Sequence, residues 1–75
     1  MSRLGSYRGE DVVKAFQRAE WRITRVRSSH IILEKEGFLA TLSVPVHKGQ
    51  NVKKGTLRDL IKDAELSVEE FLRFI

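Results

Sequence analysis

The chain predicts an α+β fold in the order α-β-β-β-α(-α), with a three-stranded antiparallel sheet and helices packed on one face. Three observations predict it. Apolar residues recur at helical spacing near the start and at period two through the middle. After a loop marked by the only proline and by Gly49 and Gly55, they return to helical spacing.

In G-E-D-V-V-K-A-F-Q-R-A-E, Val12, Val13, Phe16 and Ala19 share one helical face, with Glu10 and Asp11 in the first turn, where carboxylates complement the helix dipole. A helix over about Gly9 to Ala19 follows. W-R-I-T-R-V-R then alternates, Trp21 and Ile23 to one side and Arg22 and Thr24 to the other, and its β-branched content favours a strand. H-I-I-L-E-K and F-L-A-T-L-S-V flank Glu36-Gly37, and Gly37 supplies the positive φ of a tight turn. A turn of Glu36 and Gly37 alone sets Leu33 opposite Ala40, Ile31 opposite Leu42 and His30 opposite Ser43. Ile31, Leu33, Ala40 and Leu42 then face the helices, while His30, Ile32, Thr41 and Ser43 face away.

After the loop V-P-V-H-K-G-Q-N-V-K-K-G, the stretch G-T-L-R-D-L-I-K-D-A reads as a helix with Thr56 as N-cap and Asp59 at N3. Leu57, Leu60, Ile61 and Ala64 form its buried stripe. S-V-E-E-F-L-R-F-I repeats the device with Ser67 and Glu70, and Val68, Phe71, Leu72 and Ile75 turn inward. A sheet covered on one face leaves the other open. The same element order is that of the small double-stranded-RNA-binding domain, where basic groups meet A-form phosphates.

A chain of 75 residues is expected to form one domain over residues 1–75, since one this short buries only about 60% of its unfolded surface. A large cleft between two domains is thereby excluded. Hydrophobic residues at 41% suffice for folding, and the net charge is +4. The lack of cysteine excludes disulfides, thiolate zinc sites and a thiol nucleophile, and predicts a reducing cytoplasm. No apolar run exceeds that of Ile31-Ile32-Leu33, far short of the roughly 20 residues of a membrane span. Met1 to Gly9 lacks the apolar core of a signal peptide, so no membrane association is expected.

The charge is uneven. Arg22, Arg25, Arg27 and Lys35 stand against Glu34 alone, and Lys48, Lys53, Lys54 and Arg58 follow without an acid. Beyond them Asp59, Asp63, Glu65, Glu69 and Glu70 outweigh Lys62 and Arg73. A basic middle closed by an acidic helical end outlines a small nucleic-acid-binding domain, or else an ordinary solvated surface.

His30 is the sharpest candidate for chemistry. RNA carries its own nucleophile, the 2′-hydroxyl, so cleavage requires a base active near neutrality, a positive charge for the phosphorane and a hold on the strand. Histidine meets the first need without a metal; the plainer reading is an exposed polar residue at a strand start. His47 would complete a base and acid pair if the rings were close, which the sequence leaves open, and it reads as a loop-ordering or RNA-contacting residue. Two histidines without HxH or HxxxH spacing form no metal-ligand set, and no cofactor motif is present. Lys53 and Lys54 precede the Gly55-Thr56 helix start, an anion-binding arrangement or simple capping beside a solvated charge run. Trp21 and Phe38 could stack on bases, but core packing is the larger share for aromatics in so small a domain.

These pieces in order, A-x-W after the first helix, S-S-H at the head of the second strand, V-P-V-H, K-K-G-T-L and A-x-L before S-V-E-E-F, resemble the HicA family of toxin–antitoxin mRNA interferases. The resemblance runs from about Gly9 to Phe71, and V-P-V-H with K-K-G-T-L is its most specific part. It implies a double-stranded-RNA-binding-like fold, metal-independent cleavage of mRNA by a single histidine in a G-S-H motif, and neutralisation by a HicB-type antitoxin that covers that histidine. It also implies a monomer alone or a hetero-oligomer with the antitoxin. The catalytic histidine falls on His30, the preceding serine on Ser29 and the family glycine on Ser28. Val-Pro-x-His falls on Val44, Pro45 and His47, and Gly-Thr-Leu on Gly55, Thr56 and Leu57. The expected RNA-binding set is Arg25, Arg27, Ser28, Ser29, His47, Lys48, Lys53 and Lys54.

Three residues depart from the family pattern. Ser28 replaces the glycine of the G-S-H motif, and Glu20 and Glu65 stand where glycine often follows alanine at a helix end. Two further readings stay open on the residues: an RNA-binding module without catalysis, and a protein-docking domain using the acidic last helix and the open sheet face.

Overall fold

A computed structural model describes residues 3–75. The elements are α1 (Gly9–Arg18), β1 (Arg22–Arg27), β2 (His30–Glu34), β3 (Leu42–Pro45), α2 (Lys54–Asp63) and α3 (Val68–Phe74). The strands form one antiparallel sheet in the order β1-β2-β3, which is the expected α+β architecture. Leu33, Leu42 and Val44 are buried on one sheet face with Val12, Phe16, Leu57, Leu60, Ile61 and Phe71 of the helices. Fully burying such side chains contributes about 1.5–3 kcal/mol apiece. Phe16 and Phe71, with ring centroids 5.4 Å apart, join α1 to α3.

The first two helices end in the same way. In α1 the N–H of Trp21 donates to the Phe16 carbonyl and that of Glu20 to Gln17. In α2 Leu66 donates to Ile61 and Glu65 to Lys62. Each is a Schellman motif, which puts its C′ residue in the left-handed region and satisfies the last carbonyls. Here those residues are Glu20 (φ 73) and Glu65 (φ 57), and the only other non-glycine residue at positive φ among those described is Ser28 (φ 54). The three departures from the family pattern therefore keep the backbone that glycine favours, at a cost of roughly 1–2 kcal/mol each.

The expected hairpin register is two residues out. Leu33 pairs with Leu42, Ile31 with Val44 and His30 with Pro45. Glu36 and Gly37 do not join the strands directly; they are the centre of a turn closed by Phe38 N–H to Lys35 C=O at 3.1 Å, with Gly37 at φ 87, as a type II turn requires. Phe38 then folds inward onto Trp21, with centroids 5.2 Å apart, and Lys35 lies over the Phe38 ring and donates to the Ala19 carbonyl at 3.0 Å. Both aromatics are thus packing residues. Leu39 and Ala40 are left exposed, so Ala40 is no part of the core. Because the error is even, the faces survive it: Ile31, Leu33 and Leu42 face the helices and His30, Ile32 and Ser43 do not.

The alternation predicted for β1 fails at Thr24. Ile23 pairs with Leu33, yet Arg25 pairs with Ile32, so the strand carries a bulge between them. Arg22, Arg25 and Arg27 consequently lie opposite Glu34, Ile32 and His30 on the open face. Ile23 and Val26 take the helix side but stay exposed, at the uncovered sheet edge.

Helix α2 begins three residues earlier than expected. Lys53 is its N-cap, with no side-chain cap, and Thr56 is the third helical residue. The second capping box is as expected: Glu70 N–H donates to Ser67 Oγ at 3.0 Å and Ser67 N–H to Glu70 Oε1 at 2.8 Å. A side chain at Gly9 would collide with the Pro45 carbonyl and Val46, so the start of α1 lies directly on the end of β3. Val52 N–H donates to the Tyr7 carbonyl at 2.8 Å, which ties the loop after β3 to the segment before α1.

Candidate functional site

His30 opens β2 and is exposed on the uncovered sheet face. Its position follows from the Ser28-Ser29 hairpin turn, which closes between Arg27 and His30 and takes positive φ at its first residue, where glycine is usual. His47 lies two residues beyond Pro45, the cross-strand partner of His30. Period two returns it to the same face as a diagonal neighbour. The two rings meet edge to face, with centroids 6.4 Å apart and planes at 81°.

Both histidines line a cleft of about 440 Å³ that also takes in Ser43, Asn51, Lys53 and Thr56. Among the described residues no carboxylate lines this cleft. Lys53 caps the start of α2, whose first turn carries no acid, so an ammonium and the positive end of a helix dipole sit at one wall. Among the described residues no three His, Asp or Glu side chains form a metal-ligand group.

Of the residues expected from sequence, His30, His47 and Lys53 are brought together in the cleft. Arg25 and Arg27 share the sheet face of His30, and Ser28 and Ser29 form the adjoining turn. Lys48 and Lys54 are exposed but do not line the cleft. The expectations omitted Ser43, Gln50, Asn51 and Thr56 as lining residues. Ser43 is legible from its alternation with Leu42 and Val44, whereas the Thr56 hydroxyl reads from sequence as a helix cap. Gln50 and Asn51 carried no signal in a loop without periodicity.

The described site is thus a pair of imidazoles on the open face of a small α+β domain, flanked by arginines and a helix-start lysine. Residues 9–66 match the family described as the HicA toxin of bacterial toxin-antitoxin, and the chain belongs to that family. It is therefore the toxin half of such a pair, with an antitoxin as partner. A search of curated proteins found no match to the chain. Among the described residues, no helix is long and apolar enough to cross a membrane.

Proposed function

We propose that this chain is an mRNA interferase, a metal-independent endoribonuclease acting in the cytoplasm through His30 and held in check by a HicB-type antitoxin that covers that residue. The observation that carries the reading is the placement of His30, exposed on the sheet face of Arg25 and Arg27 and across the cleft from Lys53. His30 acts on the proton of the 2′-hydroxyl or of the leaving oxygen. Arg25, Arg27 and Lys53 hold phosphates and offset the charge of the phosphorane. Ser28 and Ser29 border the approach to the ring, and Lys48 and Lys54 extend the basic surface along the strand's path.

The test is expression of the chain and of His30→Ala, with and without the antitoxin, together with RNA cleavage by the purified proteins. Loss of a general acid or base lowers the rate by about 10²–10⁴-fold, with 2′,3′-cyclic phosphate ends in the parent's products. A His30→Ala chain as toxic and as active as the parent would end this reading. Salt-dependent binding that leaves RNA intact in both proteins would favour the non-catalytic RNA-binding module instead.

A further inference from the structure

Resting on the nuclease reading above, we propose that His47 is the catalytic partner of His30, the two imidazoles forming an acid–base pair across the scissile phosphate. His30 pairs with Pro45, and the bond from Val46 N–H to Ser29 C=O carries the ladder one step further, which brings His47 beside His30. Their ring centroids are 6.4 Å apart with planes at 81°, and both rings border one cleft, so a single phosphodiester seated in that cleft can touch both. Among the described residues Lys53 is the only other titratable side chain in the cleft lining, so the second imidazole available there is that of His47.

A purely loop-ordering role does not require this ring. The loop is held by main chain, through Val46 N–H to Ser29 C=O at 2.6 Å and Gln50 N–H to His47 C=O at 3.0 Å, while the His47 side chain is exposed. In the reaction one neutral imidazole takes the 2′-hydroxyl proton as O2′ bonds to phosphorus. The P–O5′ bond breaks, and the other ring, as imidazolium, gives its proton to O5′. The products are a 2′,3′-cyclic phosphate and a 5′-hydroxyl, one proton having been taken up and one released. Exchange with water resets the pair.

The test uses the full chain and one short RNA mapped for the site the parent cuts, made with oxygen or with sulfur at the 5′-bridging position. Sulfur departs as a thiolate and needs no proton. His30→Gln and His47→Gln are each expected to lower kcat/KM on the all-oxygen RNA by about 10²-fold or more. Each variant loses one limb of the parent's bell-shaped pH profile, and only the variant lacking the acid regains rate on the sulfur RNA. A His47→Gln chain within about threefold of the parent and keeping both limbs overturns the pair while the nuclease reading stands. Failure of both variants to recover on sulfur, or a loss of binding to a 2′-methoxy RNA as large as the loss of rate, also overturns it. A parent that leaves RNA intact overturns the nuclease reading and the pair together.

Discussion

The main-chain N–H of Val46 donates to the carbonyl of Ser29 at 2.6 Å, joining the two residues that directly precede His47 and His30. The ladder between β2 and β3 thus continues one step past Pro45, and the tight turn and the loop are held as one unit.

Val46→Pro removes that donor while keeping an apolar side chain. The stability lost is expected to be that of one net hydrogen bond, about 0.5–1.5 kcal/mol. RNA cleavage should fall further than this, since a displacement of about 1 Å can cost 10²-fold. Urea unfolding and kcat/KM, measured on the same preparation, compare the two losses; equal losses would show that the tie does not position the rings.

Glu20→Gly and Glu65→Gly should each raise stability. Both residues are exposed and left-handed at a Schellman motif, so removing Cβ relieves a cost of roughly 1–2 kcal/mol, reduced by glycine's greater unfolded-state entropy to a gain of about 0.5–1 kcal/mol. In a domain of this size that is a rise in Tm of about 2–8 °C. The sites cap different helices, and the double variant should be close to additive. Thermal unfolding followed by circular dichroism checks all three proteins.

Arg25→Ala, Arg27→Ala and Lys53→Ala should each reduce the steepness with which RNA affinity falls with salt, by about 0.7 in the log–log slope for a single-stranded target. Binding to a His30→Ala background keeps the RNA intact during the titration. Lys62→Ala, on the far part of α2 and outside the cleft lining, should leave the slope unchanged. A common slope for all four variants would place the phosphates elsewhere.

Glu70 sets an acid limit on the last helix. Its carboxyl is held below its usual value of 4.5, chiefly by the Ser67 main-chain N–H and next by the Ser67 side chain. A lowered folded value means that this contribution is complete above about 4.5 and fades as the pH falls through the lower folded value. The advantage of the parent over Glu70→Ala in urea midpoint should accordingly be constant near neutrality and shrink in the acid range. A gap that stays constant from pH 7 to pH 2 would contradict the pairing.

Element order and sheet faces were legible because both depend on local periodicity. Register was not, because it depends on Phe38 leaving the strand to pack on Trp21, a tertiary contact. That difference reached the site. With His30 opposite Ser43, as expected, His47 would stand two residues further along the ladder, beyond a diagonal contact; opposite Pro45 it is a neighbour. The β1 bulge had a similar effect, since strict alternation would have put Arg22 and Arg25 on opposite faces. The cap at Ser67 and Glu70 is legible because a capping box is complete within four residues, whereas the start of α2 is not, because Lys53 begins it without a side-chain cap.

The cleft draws its walls from His30 to Thr56, and its two rings meet only once β3 has paired with β2. During synthesis, a ribosome that has released the first histidine has released only one wall of the cleft. The second must also emerge, together with the start of α2. A message cut partway through this region would yield a fragment holding a histidine and arginines but no cleft. The cleft is complete only once the start of α2 has joined the paired strands.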